Sequence, residues 1–399
     1  MKRVCHLTSV HSSDDTRVFH KECVSLARAG YDVTLVAPGE SREEQGVHIV
    51  GVGGKPVGTL NRLTSPFVKH AFETALALDC ELYHLHDPEL LPFALRLKRR
   101  GKTVVFDSHE IYALLIQEKG YIPGFLKKPA AAIYGAWEAG VFRKLDAIVV
   151  PCTSYGKNPF EKCAKRTVFL DNLPDAGRFP PPKPPYPDAE NTVGYVGGVT
   201  AERGITRLIE ACAIAGARLR LAGPVWGAYL EELKQMPQFS CVEYAGVVPY
   251  ADVPEYCRHF SVGMATLLNI HQYISTDNLP TKAFEYMGAG LPIILSDTPT
   301  ARAVAAKHPC CLCVDPDNAE EIAAAIRTLL DDPERRKRMG ECGYRALQEE
   351  YNWENERHEK QYVLPMFVPG SAEFFNMHMA TANEAANTQN TQNTQSSAQ

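Results

Sequence analysis

A lysine and a glutamate stand close together in the segment 275–297 and could act on a charged ligand. Lys282 and Glu285 are three residues apart, so they share one face of a helical turn. A Gly-Ala-Gly breaker at 288–290 follows, and then the apolar run 293–295 of a buried strand. A helix N-terminus attracts phosphate, a lysine adds positive charge, and a carboxylate can hold vicinal hydroxyls. The segment therefore predicts a site for a ligand that carries both phosphate and sugar.

A glycine-rich turn follows the apolar run 192–196 and opens a predicted helix at 205–215. Gly197 and Gly198 would let the backbone approach a ligand, and Arg203 can reach into the same cleft. The spacing of a dinucleotide fingerprint is not met, and the Gly-Lys-Ser/Thr ending of a Walker loop is missing. Such turns are often purely structural, but this one should share a strand-end rim with the lysine–glutamate pair.

Histidine and carboxylate side chains mark two strand ends in the first half of the chain. His109 would face a cleft, where it could donate to a sugar hydroxyl or move a proton near neutral pH. A helix cap at Asp107 or Ser108 is the structural alternative, and it leaves the histidine unexplained. Asp87 precedes a proline, and this pattern favours a helix N-cap.

The loop after the first strand is polar and is a candidate acceptor site. A helix N-cap at Asp14 or Asp15 accounts for part of it, but not for His11, Arg17 and His20 together. We therefore predict acceptor contacts from Asp15, Arg17 and His20.

These residues must be positioned by short apolar strands that alternate with amphipathic helices, the pattern of parallel α/β sheets. The predicted strands are 4–7, 31–37, 47–52, 82–85, 103–107 and 147–150, then 192–196, 218–222, 242–244, 262–265, 292–295 and 311–314. The segment 172–191 is too rich in proline for a helix or a central strand. We predict two Rossmann-like, doubly wound domains, 1–171 and 192–350, joined by this linker and facing across a cleft.

The bulk composition narrows the class of protein. The chain has 399 residues, 12 cysteines and a formal net charge of −5, which argues against nucleic acid as a partner. No apolar run is long enough to span a bilayer, and the N-terminus is typical of a strand rather than a signal peptide. We expect a cytoplasmic protein with reduced thiols. Residues 371–399 are typical of a disordered tail.

Four motifs, taken together, resemble glycosyltransferase family 4, whose members are retaining enzymes with the GT-B fold. The resemblance covers about residues 1–368 and rests on segments 11–22, 107–110, 197–204 and 279–287. It implies a final helix at 351–368 that crosses back onto the first domain. It also implies transfer of a sugar from a nucleotide sugar to a glycan or lipid-linked acceptor, as in cell-surface polysaccharide biosynthesis, by a hexosyltransferase-like enzyme.

The resemblance implies roles for residues at the donor's phosphates and sugar. Arg203 matches the basic residue that neutralises the diphosphate, and Lys282 should help it. Glu285 matches the acid that holds the nucleotide ribose. His109 matches the histidine that contacts the donor sugar near the reacting carbon.

Other positions either frame the nucleotide base or depart from the family pattern. Gly223, Val247 and Val248 match loops around the base. Asp277 stands where the family has its first acid, with a shorter side chain. Gly198 stands where the family usually has an arginine.

Two cations and a helix N-terminus could stabilise the departing diphosphate, so we expect no metal and no cofactor. A nucleotide-sugar epimerase or hydrolase, and a non-catalytic sugar-nucleotide-binding protein, are the rival hypotheses. The segment 112–128 leaves two interpretations open: an ordinary helix pair with a loop, or a shallow membrane-docking surface that would place the protein peripherally at the inner face of the membrane.

Overall fold

The computed structural model describes residues 2–54, 66–118, 122–268 and 276–355. Ser275, part of the segment 112–128 (119–121), the helix predicted beyond 355 and the tail 371–399 lie outside the described residues.

The first domain is built on a sheet of eight strands. They are β1 Arg3–Leu7, β2 Asp32–Ala37, β3 Arg42–Glu44, β4 Val47–Gly51, β5 Leu82–Leu85, β6 Thr103–Asp107, β7 Ala147–Val150 and β8 Thr167–Phe169. Their order is β3-β4-β2-β1-β5-β6-β7-β8, and every pairing is parallel except that of β3 with β4. The central pairing sets His6 of β1 beside His84 of β5.

The second domain has a sheet of six strands that are parallel throughout. They are β9 Thr192–Val196, β10 Arg218–Ala222, β11 Val242–Tyr244, β12 Val262–Ala265, β13 Ile293–Ser296 and β14 Cys311–Val314. Their order is β11-β10-β9-β12-β13-β14. Because β9 lies between β10 and β12, the strand order reverses there, and a crevice opens at the carboxyl ends.

Helices cover both faces of each sheet. Those of the first domain are Thr16–Cys23, which is π-helical, and then Val24–Arg28, Pro66–Ala77, Leu91–Arg99, Tyr112–Glu118 and Gly124–Phe142. Those of the second are Ile205–Ala215, Tyr229–Lys234, Val253–Tyr256, Thr281–Gly288, Pro299–Lys307, Ala319–Leu330 and Pro333–Glu349. Each domain therefore has two apolar cores, one on either side of its sheet.

The strands predicted from the sequence are all present, and two short edge strands were not predicted. β3 is polar (Arg-Glu-Glu), and it pairs with β4 through a tight connection. β8 has only three residues and follows a long irregular segment. Short strands of this kind carry too few apolar residues to show a period.

Two stretches of chain connect the domains. In 172–191 the side chains of Leu173 and Phe179 are buried in a core of the second domain. Near the end of the described chain, the Trp353 N–H donates to the Pro174 carbonyl at 2.8 Å, and its indole N–H donates to Ser25 Oγ at 3.0 Å. The chain thus returns to the first domain at Trp353.

Candidate active site

The carboxyl ends of β9, β10 and β11 form a continuous glycine-lined rim. The Gly197 N–H donates to the Ala222 carbonyl at 2.9 Å, and the Gly223 N–H donates to the Gly246 carbonyl at 2.7 Å. A Cβ atom on Gly223 would lie 1.8 Å from the Gly197 oxygen, and φ at Gly223 is +139°. Only glycine fits there, because the turns after β9 and β10 pack backbone against backbone.

The base-framing residues predicted from the sequence are placed beyond this rim. Val247 is exposed, and Val248 is half-buried against a core of the second domain. The indole of Trp226 is 62% exposed and lies over Gly198, within 3.0 Å of the position of a Cβ atom there. Trp226 was not singled out from the sequence, because a tryptophan in a loop has no periodic signal.

Two cationic side chains meet over Gly197. A Cβ atom on Gly197 would lie 3.5 Å from Nη1 of Arg203 and 3.5 Å from Nζ of Lys282. Arg203 ends the short turn Ala201–Arg203, and the glycine after it has φ +73°. Lys282 is the second residue of the helix Thr281–Gly288. The structure therefore brings together the guanidinium and ammonium groups that the sequence placed on one rim.

The ammonium group of Lys282 is buried beside an aromatic ring, and its pKa is lowered. Its side chain is buried, and Nζ lies 4.6 Å from the centre of the Tyr195 ring. Burial, with the positive charge of Arg203, lowers the pKa of Lys282 to about 7, although Glu285 opposes the shift. An arriving diphosphate would favour the charged form.

A cavity of about 370 Å³ lies between the two domains, beside these cations. The second domain contributes Arg203 and Lys282 to its walls, and the first contributes His109 and Cys152. Leu114 and Leu115 add apolar surface, and the start of the helix Thr281–Gly288 closes one side. The cavity thus joins a helix N-terminus, two cations and a histidine, a combination suited to a phosphorylated sugar.

His109 reaches this cavity in its neutral form. Burial lowers its pKa to about 4, although the nearby Asp107 carboxylate opposes the shift. Its Nε2 atom lies 3.3 Å from Nδ1 of His86, and its ring stacks on that of His11 at 4.6 Å. At neutral pH it can therefore donate or accept a hydrogen bond but carries no charge.

Glu285 lies on the same helix as Lys282 and is half-buried. Burial raises the pKa of its carboxyl group, and the charges of Lys282, Arg178 and Lys21 partly offset this. Because Lys21 belongs to the first domain, Glu285 faces the junction between domains. It does not line the cavity itself.

Asp277 takes a different place from the one expected. Its Oδ2 atom accepts hydrogen bonds from the hydroxyl of Thr153 and, at 2.6 Å, from the N–H of Gly156, both in the first domain. A carboxylate engaged in this way joins the domains, and it is Thr276 and Asn278 that line the cavity. Asp277 itself does not line the cavity, and its role as a donor contact stays a prediction.

The three predicted acceptor residues are not brought to the cavity. Arg17 is buried, and its guanidinium binds Asp107 through Nε at 2.9 Å and through Nη2 at 3.2 Å. Asp15 caps the first helix and bonds His11 at 3.1 Å. His20 binds Asp14 at 3.0 Å on the surface. Arg17 thus holds the fold together, and the acceptor role of Asp15 and His20 stays a prediction.

At neither of the two strand ends does a carboxylate cap a helix through its side chain, although Asp87 does precede the short helix Pro88–Leu90. Asp87 makes no side-chain cap; its Oδ2 accepts from the Thr8 hydroxyl and the Ser9 N–H, each at 2.7 Å. Asp107 pairs with Arg17 instead of capping a helix. Burial opposes ionisation of Asp107, but the guanidinium and neighbouring histidines hold its pKa well below the usual range.

Behind His109 lies a group of four buried side chains of types that can ligate a metal, and it was not predicted from the sequence. It consists of His6, Glu22, His84 and His86, whose ligand atoms all lie within 4.8 Å of one another. The sequence signal is the pair His84 and His86, two residues apart at the end of a predicted strand, a spacing that places side chains on one face of extended chain.

Comparison with known proteins agrees with this architecture. Residues 16–158 match the family described as Glycosyltransferase Family 4, and residues 180–346 match Glycosyl transferases group 1. No curated protein matches the chain significantly by sequence.

Solved structures resemble the chain over nearly its whole length. Sucrose-phosphate synthase from Thermosynechococcus elongatus is 16% identical, with 92% of this chain and 99% of that chain covered and a TM-score of 0.73. HepE from Anabaena, solved with UDP and glucose, is 15% identical, with 91% and 99% covered and a TM-score of 0.66. WaaG, a glycosyltransferase involved in lipopolysaccharide biosynthesis, is 15% identical, with 91% and 99% covered and a TM-score of 0.62.

The fold is therefore GT-B, two parallel-sheet α/β domains, and the protein is a glycosyltransferase. The first half of the chain matches one of these families and the second half matches the other. The chain is therefore a glycosyltransferase of the family 4 type. Among the described helices, none combines the length and the hydropathy needed to cross a membrane.

Proposed function

We propose that the enzyme transfers a sugar from a nucleoside diphosphate sugar to a glycan or lipid-linked acceptor. The observation that carries this proposal is the convergence of Arg203 and Lys282 over Gly197, on a cavity that also receives His109. A diphosphate bound against the glycine rim would meet both cations, while its sugar would extend toward the histidine of the other domain.

The chemistry follows from the charge that develops as the sugar–phosphate bond breaks. The leaving diphosphate gains negative charge, and preorganised cations lower the energy of that transition state. The guanidinium is permanently charged, and the ammonium becomes so when the anion arrives. We propose that these two groups serve in place of a metal at the diphosphate.

His109 would act by hydrogen bonding. A neutral imidazole beside the reacting carbon can hold a sugar hydroxyl without adding charge near an electron-poor centre. Retention of the sugar's configuration is proposed on the family resemblance.

A UDP-sugar is the first donor to test. HepE has been solved with UDP-glucose, and the exposed Trp226 beside the rim offers a flat surface for a base. We place the product in cell-surface polysaccharide synthesis, in line with the resemblance to the polysaccharide-forming members of the family.

Peripheral contact with the inner face of a membrane is part of the proposal. The helix Gly124–Phe142 exposes Phe125, Ile133 and Trp137, and Lys127 and Lys128 flank the first of these. Apolar side chains with neighbouring lysines suit an anionic lipid surface, where a lipid-linked acceptor would reside.

A thermal-shift screen of nucleoside diphosphates, followed by transfer assays with the matching sugars, tests the proposal. A bound nucleotide raises the unfolding temperature according to its affinity. The best donor should then lose its sugar only when acceptor is present. Conversion of the donor sugar without acceptor would indicate an epimerase or hydrolase, and binding without any turnover would indicate a binding protein.

A further inference from the structure

The buried group His6, Glu22, His84 and His86 has the composition and geometry of a closed metal site. From its four side chains we infer that the first domain binds one divalent transition-metal ion, of which zinc fits best. Three imidazoles and one carboxylate are ligands that zinc accepts, and four protein ligands are typical of structural zinc sites. The inference concerns the core of the first domain and does not depend on the donor or the acceptor.

Three structural elements aim these side chains at one point. His6 lies on β1 and is paired in register with His84 on β5. His86 comes directly after β5, where its N–H donates to the Leu7 carbonyl of β1 at 3.1 Å. Glu22 comes from the π-helical segment Thr16–Cys23 that packs over these strands. All four side chains are at most 4% exposed.

Four distances between candidate ligand atoms lie on either side of the value for tetrahedral coordination. Nδ1 of His6 lies 2.9 Å from Nε2 of His86, and Oε2 of Glu22 lies 3.9 Å from each of these two atoms. Nδ1 of His84 lies 3.7 Å from the same oxygen. Bonds of zinc length in a regular tetrahedron separate the ligands by roughly 3.3 Å, and the observed values fall on both sides of this.

Without an ion, much of this group lacks hydrogen-bond partners. Both ring nitrogens of His84, Nε2 of His6 and Oε2 of Glu22 are buried and make no hydrogen bond. Such atoms cost free energy unless something satisfies them, and side chains this polar are rarely left so in a core. The contact between His6 and His86 could be a simple hydrogen bond, but it does not account for His84 or for Oε2 of Glu22.

The surroundings also resemble the outer layer of a metal site. The other oxygen of Glu22 lies 3.1 Å from Nε of Arg17. Nδ1 of His86 lies 3.6 Å from the Asp107 carboxylate, the arrangement that fixes the orientation of a ligating imidazole. Through His86 the site also touches His109, so a bound ion would stiffen the floor beneath the donor cavity.

Metal analysis of the full-length protein tests the inference. We expect about one equivalent of zinc per chain after purification, and uptake of about one equivalent of Co²⁺ by chelator-treated protein. Cobalt in this site should give the strong visible bands of tetrahedral coordination. Chelator-treated wild type that takes up neither ion would overturn the inference, and so would cobalt with the weak bands of six-coordinate water-like ligation.

Variants locate the ion. Glu22→Gln and His84→Gln should weaken zinc binding by ~10²-fold or more and abolish the tetrahedral cobalt bands. His48→Gln is the matched control, because His48 lies on β4, away from this group, with its side chain 55% exposed. Equal metal binding by all three variants would place the ion elsewhere and refute the site. If the buried variants fail to fold, the cobalt spectrum of the wild type still decides.

Discussion

Asp277 of the second domain accepts a hydrogen bond from the hydroxyl of Thr153 in the first. The backbone strengthens this contact, since the Asp277 N–H donates to the Thr153 carbonyl at 3.1 Å. The helix that carries Lys282 begins four residues further along the chain, at Thr281. The relative position of the two cavity walls therefore depends on this junction.

Removing the carboxylate should loosen the junction. We expect Asp277→Ala to raise amide hydrogen exchange roughly fivefold at 153–156, because a partly exposed charged hydrogen bond contributes about 1 kcal/mol. Hydrogen-exchange mass spectrometry measures this, with Asp297→Ala as an exposed control. Unchanged exchange at 153–156 would show that the backbone contact alone is sufficient.

The two cations should be needed for transfer. Lys282→Ala and Arg203→Ala are each expected to lower kcat/KM by ~10²-fold or more, as loss of one oxyanion donor does. Lys234→Ala, a change at an exposed lysine paired with Glu231, is the control. Initial rates of sugar transfer decide the matter, and near-wild-type rates in both cation variants would remove their role.

Donor binding should weaken as the pH rises. The pKa of Lys282 is about 7 in the free enzyme, because of burial and Arg203. A diphosphate favours the ammonium form, so above this pH binding takes up a proton, and affinity should fall by up to about tenfold per pH unit. Calorimetry from pH 6 to pH 9 would show the slope, and Lys282→Arg should remove it. An equal slope in that variant would assign the titration to another group.

Glu285 should contribute to nucleotide affinity. We expect Glu285→Ala to weaken binding of the nucleoside diphosphate by about tenfold or more, because hydrogen bonds to a charged group contribute about 1.5–3 kcal/mol. Isothermal calorimetry measures this. Glu210→Ala is the control, because Glu210 forms an ion pair with the exposed Arg207. Circular dichroism should show an intact fold. Unchanged affinity would argue against a ribose contact.

Arg17 should stabilise the first domain rather than bind the acceptor. Arg17→Met leaves the buried Asp107 and Glu22 carboxylates without their guanidinium, and loss of one member of such a pair costs about 3–5 kcal/mol of unfolding free energy. Urea denaturation of this variant and of Arg42→Met, whose arginine is more exposed, gives the comparison. Similar midpoints for both would contradict a structural role.

Much of the fold could be predicted from sequence because parallel strands are short apolar runs at regular intervals. The same regularity explains why Arg203, Lys282 and His109 could be expected at one cleft, although their chemical roles stay predictions. Each follows or faces a strand end, and the carboxyl ends of parallel strands lie along one edge. The pattern therefore gives the position of a residue along the sheet without any knowledge of its contacts.

The partners of charged side chains could not be predicted in this way. Arg17 and Asp107 are 90 residues apart, and their pairing depends on how a helix crosses the sheet. The same holds for Asp277, whose partner lies in the other domain. His6 and His84 become neighbours only because β1 and β5 are adjacent, and spacing in the sequence contains no information on strand order.

The first domain includes a contribution from the far end of the described chain, because Trp353 packs on it. Its indole N–H reaches Ser25, and Lys21 lies 5.9 Å from its ring. A fragment ending near residue 171 would lack Trp353. The surface around Ser25 and Lys21 that Trp353 contacts would then be exposed to water. An isolated first domain should therefore be more stable when the peptide around Trp353 is added to it or fused to its C-terminal end.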